Sequence, residues 1–405
     1  GVYDAFGSAV GTAGDVNGDG YDDLIVGAYG HDDGGRIDAG KVYVHYGGPE
    51  GLGSTAGWTA VGEHAHDELG RAVAGAGDLN GDGYADLVVG AVGYPNGDHY
   101  GRAYVYYGAE DGLGSAGWVT SGEGADDRFG WAVGMAGDVN GDGYADLVVG
   151  APYHGAGDNG KVYVYHGSTT GLSAAANWTA SGSADGDQFG FAASTAGDVN
   201  GDGYADLVVG APFNDGAATS AGRAYVYRGS AGGLPGTATW SLSGVSIGAR
   251  LGAAVGAAGD VNGDGYADVV AGAYGSDSLA GGLSLYHGGE SGIASSTADW
   301  TTSGERSGDQ FGLAVGAAGD VNGDGYSDLV AGAPGYDAPG SANVGRAYVY
   351  HGAADAPSDT AAWATTDGGD VFGRSVSTAG DLNGDGYADV VVGDSLNDDG
   401  GTSAG

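Results

Sequence analysis

Seven short acidic loops hold the residues of this chain that are best suited to binding a metal ion. Each loop reads Asp-x-Asn-Gly-Asp-Gly-Tyr-x-Asp, which places carboxylates at positions one, five and nine and an amide oxygen at position three. Calcium takes six to eight oxygen ligands, and tight loops supply them from alternate side chains. We therefore predict about seven calcium sites, in which the tyrosine at position seven contributes its carbonyl and the aspartate at position nine closes the site with both oxygens.

The predicted ligands recur at the same offsets in every loop. Asp-Gly and Asn-Gly pairs also form plain turns, but a turn does not require three carboxylates at fixed positions. Calcium is favoured over magnesium because every ligand is a flexible protein oxygen, and extracellular sites of this kind bind at about 10⁻⁴ to 10⁻³ M. We therefore expect ion binding to be part of folding. The ligands are Asp15, Asn17, Asp19, Tyr21, Asp23; Asp78, Asn80, Asp82, Tyr84, Asp86; Asp138, Asn140, Asp142, Tyr144, Asp146; Asp198, Asn200, Asp202, Tyr204, Asp206; Asp260, Asn262, Asp264, Tyr266, Asp268; Asp320, Asn322, Asp324, Tyr326, Asp328; and Asp381, Asn383, Asp385, Tyr387, Asp389.

The charge balance of the chain agrees with cation binding. There are 12 Lys and Arg against 53 Asp and Glu, a formal net charge of −41. Such a chain repels nucleic acid and anionic membranes, so neither is expected as a partner. A solvated acidic surface is the alternative explanation of the charge. The absence of cysteine excludes thiolate metal sites, disulfides and cysteine catalysis, and no apolar run has the length of a membrane-spanning helix.

The loops are spaced regularly, and this spacing predicts the elements that hold them. Their first aspartates lie 60 to 63 residues apart, which indicates seven copies of one structural unit. Each unit reads as four short strands separated by turn residues. In the third unit the first three strands are expected at residues 129–136, 144–150 and 161–166. The fourth strand contains a tryptophan, at Trp58, Trp118, Trp178, Trp240, Trp300 and Trp363 in six of the units.

Four strands per unit are typical of a propeller blade. A solenoid is the alternative, but residue size grows along each unit from Gly134 and Ala136 to the tryptophan, and this gradient favours a radial arrangement. In that arrangement the inner strands converge on a central channel, where we expect only small residues such as Gly134 and Ala136 to fit. We therefore predict an all-β fold, a seven-bladed β-propeller of four-stranded antiparallel blades. It forms a single domain over residues 1–405, with repeats beginning near 4, 67, 127, 187, 249, 309 and 370. The seventh blade is incomplete in this chain, which provides its first two strands only.

The repeated unit resembles the FG-GAP repeat family, which includes the propeller of integrin α-subunits. The Phe-Gly pair occurs at residues 6–7, 129–130, 189–190, 311–312 and 372–373, and Leu replaces Phe at Leu69 and Leu251. The Gly-Ala-Pro element occurs at residues 150–152, 210–212 and 332–334, varies at 27–29, 90–92 and 272–274, and is lost at 393–395. The resemblance implies a calcium-binding propeller and covers essentially the whole chain. No inserted von Willebrand-type domain interrupts it.

A partner is expected on the rim opposite the calcium loops. The connections between second and third strands vary most between repeats, and variable loops on a rigid scaffold commonly carry function. The candidates for ligand contact on these loops are Tyr94, His99, Tyr100, Tyr153, His154 and Phe213. No nucleophile elbow or phosphate-binding loop is present, so we predict no catalytic residue. Loops without a functional constraint would vary in the same way.

The sequence favours a calcium-stabilised adhesion or scaffold propeller that binds a protein or glycan surface partner and is not an enzyme. A lectin-like, carbohydrate-binding propeller is the first alternative, and an extracellular polysaccharide lyase or hydrolase is the second. Repeated equivalent aromatic pockets would favour the lectin, and one unusual cluster at the channel mouth would favour the enzyme. Weak calcium sites and the processed start at Gly1 indicate an extracellular location. The open edge of blade seven predicts a longer parent protein, or strand donation and self-association, and a blade that remains half-built is the third alternative.

Overall fold

The computed structural model describes residues 4–366 and 371–396, and within them the side chain of Asp277 is not described. Six sheets contain four antiparallel strands each, joined in chain order, and a seventh contains two. The described chain is therefore an all-β propeller with six complete blades and a partial seventh. The predicted start of repeat seven near residue 370 lies outside the described residues. The prediction of an open edge on blade seven depends on residues 397–405, which also lie outside them.

Each blade begins with a strand beside the central channel, followed by a second strand that is covered on both faces. In the first six blades every residue of the second strand is buried, which explains its unbroken apolar sequence. The first strands are β1 (Phe6–Gly14), β5 (Leu69–Gly77), β9 (Ala132–Gly137), β13 (Ala192–Gly197), β17 (Ala254–Gly259), β21 (Ala314–Gly319) and β25 (Ser375–Gly380). The second strands are β2 (Asp23–Ala28), β6 (Asp86–Ala91), β10 (Asp146–Ala151), β14 (Asp206–Ala211), β18 (Asp268–Gly272), β22 (Asp328–Ala333) and β26 (Asp389–Gly393).

The two outer strands of a blade carry most of its aromatic residues. The third strands are β3 (Lys41–His45), β7 (Arg102–Tyr106), β11 (Lys161–Tyr165), β15 (Arg223–Tyr227), β19 (Gly282–Tyr286) and β23 (Arg346–Tyr350). The fourth strands are β4 (Trp58–Val61), β8 (Trp118–Ser121), β12 (Trp178–Ser181), β16 (Trp240–Ser243), β20 (Trp300–Ser303) and β24 (Trp363–Thr365). One turn of helix, α1 (Ser276–Leu279), lies between β18 and β19, where the sequence predicted only loop.

The seven blades close into a ring. Each first strand contacts the first strand of the next blade, and β25 of the last blade contacts β1 of the first. At this closing junction Ser375 Oγ donates a hydrogen bond to the carbonyl of Gly7 at 2.8 Å. The ring therefore closes through the inner strands of blade seven.

The glycines of the two repeated elements meet at every blade interface. Gly190 of one blade has φ of +86°, and its carbonyl lies so close to Gly150 of the preceding blade that a Cβ on Gly150 would overlap it. The same arrangement joins the other six interfaces, including that between Gly393 and Gly7. These glycines are required because the backbones of neighbouring blades touch there. The phenylalanine beside them fills the core, as at Phe129, which is 1% exposed.

The outer-strand tryptophans connect each blade to the next. Trp118 packs edge-on against Tyr165 of the following blade with ring centroids 4.9 Å apart, and its Nε1 donates a hydrogen bond to the carbonyl of Ser173 at 3.0 Å. Equivalent tryptophan–tyrosine pairs occur at four other interfaces. These repeated aromatic pairs are therefore packed blade contacts, and the Trp58–Tyr106 pair also lines a cavity of about 300 Å³.

Two expectations about the inner strand need correction. The third first strand was predicted at residues 129–136, but β9 runs over Ala132–Gly137, because Phe129 bridges in parallel to Gly101 of the preceding blade. The channel was expected to admit small residues only. Gly134 does line it, but Ala136 is buried between blades, and Arg71 and Phe191 stand at one mouth. No helix in the described part of the chain is long and apolar enough to span a membrane.

Candidate calcium loops and channel mouth

The acidic loops connect the first and second strands of each blade on one rim of the propeller. In blade three, Asp138 accepts hydrogen bonds from the backbone N–H groups at loop positions four, five and six. Asn140 Oδ1 accepts one from the N–H of Asp142 at 2.8 Å, and Asn140 Nδ2 donates one to Asp142 Oδ2 at 3.0 Å. These bonds curl the backbone around the side-chain oxygens at positions one, three and five.

The aspartate at position nine is buried beneath its loop. Asp146 is 0% exposed, and its Oδ2 accepts a hydrogen bond from the N–H of Val139 at 3.0 Å. Its Oδ1 accepts another, also at 3.0 Å, from the N–H of Gly167, a residue that comes just after the third strand. The bond to position two occurs in all seven loops, and the bond to the glycine occurs in six. This carboxylate therefore joins the loop to the outer half of the blade.

Burial makes the ionised form of this carboxylate unfavourable. Loss of water raises the pKa of Asp146 to about 7, although two backbone hydrogen bonds act in the opposite direction, and repulsion by Asp142 and Asp138 adds to the rise. Burial likewise raises the pKa of Asp86 to about 7, and that of Asp23, Asp206 and Asp268 to about 6. A divalent cation beside the group would favour the charged form.

The seven loops form a continuous hydrogen-bonded ring. The N–H at position eight of each loop donates to the carbonyl at position one of the preceding loop, for example from Ala145 to Asp78 at 3.1 Å. The tyrosine at position seven covers the position-four glycine of the same neighbour, as Tyr144 covers Gly81. Between blades seven and one, Asp22 stands at loop position eight, where the other six loops have alanine or serine. Its Oδ2 accepts a hydrogen bond from the N–H of Asp381 at 2.8 Å.

The donor set of each loop fits a hard divalent cation, because it combines three carboxylates, one amide and backbone carbonyls. In residues 4–366 and 371–396, no three Asp, Glu, His or Cys side chains lie close enough together to hold a metal ion. Binding would therefore draw the carboxylates of a loop together. The position-five carboxylates, such as Asp142, would move most easily, since they are exposed and accept fewer hydrogen bonds than Asp138, which accepts three from backbone N–H groups.

The six residues predicted to contact a ligand do not form one site. Tyr153 and Phe213 lie at the channel mouth, against Trp131 and Phe191 respectively. Tyr94 lies further out, where the Arg102 guanidinium stacks on its ring at 3.4 Å.

The remaining predicted residues lie between blades or at the surface. His154 Nδ1 is 2.9 Å from Asp127 Oδ2, and His99 Nδ1 is 3.5 Å from Asp126 Oδ1. Tyr100 is 37% exposed. Of the six candidates, only Tyr153 and Phe213 therefore belong to the channel mouth.

The sequence reasoning missed the principal residues of the channel mouth. The residue that follows each Phe-Gly or Leu-Gly pair lies at the channel entrance, and in three repeats it is Arg71, Phe191 and Arg374. Position-by-position comparison of the repeats could have found them. This position is Ser, Arg, Trp, Phe, Ala, Leu and Arg along the chain, whereas the residues after it are almost all small.

Known proteins share this repeat. A segment of the chain is 39% identical over 193 residues to bovine phosphatidylinositol-glycan-specific phospholipase D, covering 43% of this chain and 23% of the relative. Another segment is 41% identical over 137 residues to chicken integrin alpha-6, covering 33% of this chain and 12% of the relative. A third is 37% identical over 153 residues to integrin alpha-PS2 of Drosophila melanogaster, covering 34% of this chain and 11% of the relative. The chain thus matches less than a quarter of the length of these relatives.

Among solved structures, Sqt1 from Chaetomium thermophilum aligns with a TM-score of 0.46 at 14% identity, over 86% of this chain and 69% of that one. The model of the FG-GAP repeat matches residues 6–45, 69–106, 129–165, 189–227, 251–293, 311–350 and 372–405. These seven matches follow the seven blades, and the chain belongs to the FG-GAP repeat family.

Proposed function

We propose that this chain is a calcium-stabilised extracellular propeller that binds a protein partner through the rim opposite its calcium loops. The main support for the proposal is the burial of the aspartate at position nine of the loops. It is fully buried in six blades, and in blade three it lies beside two further carboxylates that raise its pKa. A buried carboxylate without a cation is costly, and a divalent ion at each loop would remove that cost.

The residues that would hold the ion are the side-chain oxygens at positions one, three, five and nine, with the carbonyl at position seven. The ion supplies positive charge, and the loop supplies the oxygens that replace its water. At a tenfold excess of calcium over Kd, each site would contribute about 1.4 kcal/mol to stability by linkage. Seven such sites would contribute on the order of 10 kcal/mol, which is as large as the whole stability of a typical domain.

The extracellular assignment follows from the strength expected of such loops. Sites with dissociation constants of about 10⁻⁴ to 10⁻³ M are filled in extracellular fluids. The chain contains no cysteine that an oxidising compartment would pair. Its net charge of −41 would also be reduced by bound calcium. Membership of a family that includes integrin alpha chains supports the same location.

A protein partner is favoured over catalysis by the composition of the channel mouth. The relatives include both integrin alpha chains and a phospholipase D, so similarity alone does not decide between binding and catalysis. The unusual cluster at the mouth consists of guanidinium groups and aromatic rings, such as Arg71 and Phe191. Guanidinium stays protonated at any physiological pH and is a poor proton-transfer group, so we interpret the cluster as a binding site.

The calcium part of the proposal is tested by thermal unfolding with calcium and with excess chelator. We expect chelation to lower the melting temperature strongly, and calcium to restore it more effectively than magnesium. Isothermal titration should give a stoichiometry near seven. An unchanged melting temperature after chelation would contradict this part of the proposal.

The partner surface is tested with two single-cysteine variants, which a chain without native cysteine makes possible. Ala156 and Thr169 are exposed residues of the same blade on opposite rims, and each would be replaced by cysteine and coupled to polyethylene glycol. We expect the polymer at position 156 to block capture of extracellular proteins by the immobilised chain, and the polymer at 169 to leave it intact. Equal capture by both conjugates would contradict the rim assignment.

A further inference from the structure

The channel has a chemically distinct mouth on the rim opposite the calcium loops. A cavity of about 280 Å³ opens there, and its lining includes Arg71, Arg374, Ser8 and Phe191. A second cavity of about 350 Å³ continues along the axis. One ring of residues lines both, namely Val10, Val73, Val133, Ala193, Val255, Val315 and Val376. This apolar ring forms the floor of the mouth and limits how deep a polar group can enter.

Arginines and aromatic rings alternate around the mouth. The Arg71 guanidinium lies 5.3 Å from the ring centre of Tyr29 and 4.6 Å from that of Trp131. Arg128 lies 4.6 Å from the ring of Tyr153 and 5.7 Å from that of Trp131. Stacking covers the faces of a guanidinium and leaves its N–H edge available for hydrogen bonds.

The alternating row of arginines and aromatic rings continues into the next two blades. The Phe191 ring lies 5.3 Å from Trp131 and 6.3 Å from Phe213. Arg250 follows, with its guanidinium 5.4 Å from the ring of Phe213 and its Nη1 2.6 Å from the hydroxyl of Tyr274. Arg71 and Arg374 line the opening, and Arg128 and Arg250 contact the rings beside it, so four of the 12 basic residues of the chain belong to this cluster.

Elsewhere in the described residues, four basic side chains pair with a carboxylate and four, Lys41, Arg223, Arg228 and Arg306, do not. On the third strands, Arg102 pairs with Glu63, Lys161 with Glu123 and Arg346 with Glu305, at 2.8 to 3.2 Å. Among the described residues, no carboxylate lies within 4.0 Å of the guanidinium nitrogens of Arg71, Arg128, Arg250 or Arg374. The mouth is thus a local positive site in a strongly acidic chain.

Burial and neighbouring charges of both signs act on Arg71. Burial lowers the pKa of Arg71, and repulsion from Arg374 and Arg128 lowers it further. Glu68 and Tyr29 act in the opposite direction, but more weakly than Arg374 does. An anion placed between Arg71 and Arg374 would relieve this repulsion.

We propose that this mouth binds a carboxylate, specifically an aspartate or glutamate side chain carried at the tip of a protruding loop of the protein partner. The inference rests on the proposed protein-binding function and specifies its chemistry. The edges of Arg71 and Arg374 offer the paired N–H donors that carboxylates accept in a bidentate way. The surrounding rings exclude water and strengthen these bonds.

A protein loop suits the mouth better than a glycan. A cavity of about 280 Å³ with a ring of apolar side chains at its base holds one or two side chains, not a polymer. Sugars bind proteins largely by stacking on free aromatic faces, but the rings of Tyr29 and Tyr153 already stack with Arg71 and Arg128. Charge also favours such a partner, because an acidic loop is repelled by the net charge of −41 and attracted by the clustered arginines of the mouth.

The test uses disulfide-closed hairpin peptides with a single glutamate at the tip, titrated calorimetrically into the calcium-loaded chain. The matched peptide carries glutamine at the tip. The matched protein variants are Arg71→Gln and Arg374→Gln at the mouth, and Arg228→Gln on the calcium-loop rim, where Arg228 Nη1 donates to the carbonyl of Ser291 at 3.2 Å. All three variants change the net charge equally. Arg374 is exposed, so its variant remains informative if Arg71→Gln fails to fold.

We expect the glutamate peptide to bind about tenfold more tightly than the glutamine peptide, as for the loss of a charge-assisted hydrogen bond. Each mouth variant should remove most of this difference, and Arg228→Gln should retain it. Equal binding of the two peptides, or absence of binding, would overturn the proposal. Binding of a sulfated disaccharide in place of the peptide would also overturn it. If a captured partner still binds the mouth variants while polymer at position 156 blocks it, the carboxylate inference fails and the protein-binding proposal stands.

Discussion

Replacing Asp146 by alanine should destabilise blade three even when no calcium is present. The carboxylate accepts hydrogen bonds from the N–H groups of Val139 and Gly167, both at 3.0 Å, and is 0% exposed. Alanine has no acceptor, so both donors would remain buried and unpaired. The matched control is Asp142→Asn in the same loop, where the amide oxygen can still accept the N–H of Tyr144 and the one bond lost, from Asn140 Nδ2, is exposed to solvent.

The magnitude follows from the two amides. A buried donor left unpaired costs about 1 to 3 kcal/mol, so Asp146→Ala should cost about 2 to 6 kcal/mol in chelator. Relief of the repulsion from Asp138 and Asp142 will offset part of this cost. Asp142→Asn should cost less than about 0.5 kcal/mol in chelator, as exposed substitutions usually do. In calcium both variants should lose stability relative to the native chain, because each removes a carboxylate ligand.

The assay combines urea unfolding with amide hydrogen exchange, each in calcium and in chelator. Exchange reports the loop directly: the amides of Val139 and Gly167 should be protected in the native chain and exchange rapidly in Asp146→Ala. Retained protection of both amides would refute the hydrogen-bond argument. Equal losses for Asp142→Asn with and without calcium would refute the metal argument while leaving the hydrogen-bond argument intact.

Three further substitutions test how the blades are joined. Gly150→Ala should cost several kcal/mol in urea unfolding, because its Cβ would overlap the carbonyl of Gly190. Gly143→Ala is the control: this glycine has φ of +90° and open space around it, so the substitution should cost only about 1 kcal/mol. Equal costs for the two substitutions would contradict the close approach of the backbones at Gly150. Asp22→Ala should lower the melting temperature by removing a hydrogen bond found only where the ring closes, and an unchanged value would mean that closure does not limit stability. Trp118→Phe should cost about 1 kcal/mol through its lost N–H bond, and no loss would show that the tryptophan acts through packing alone.

The repeat and its spacing were sufficient to predict the propeller, because each unit contains the same pattern of strand-forming and turn-forming residues. The apolar second strands, the turn residues and the tryptophans recur with one period, and a closed ring buries all of them. The acidic loops were predicted for the same reason. The starts of the first strands were less accurate, because residues such as Phe129 form a bridge to the preceding blade that no local pattern encodes.

The channel mouth was not predicted, because it is assembled from residues that differ between repeats. Arg71 and Trp131 come from different blades and occupy the same place in their units, so a consensus of the repeats hides them. The contact between Arg71 and Trp131 depends on how closely the first strands of neighbouring blades approach the central channel. The double hydrogen bonding of Asp146 was also not foreseen, since one of its partners, Gly167, lies at the end of the third strand.

The two rims of the propeller therefore have different physical roles. On one rim, every loop has the same ligands and is hydrogen-bonded to its neighbour, so substitution in one loop disturbs the next and the repeats are constrained to remain alike. On the other rim, the residue after each Phe-Gly or Leu-Gly pair differs between repeats, and in five repeats it lines the channel mouth. Because the same fold carries six different residue types at this position, the gathering of arginines and rings around the mouth in so acidic a chain is better explained by a ligand than by stability.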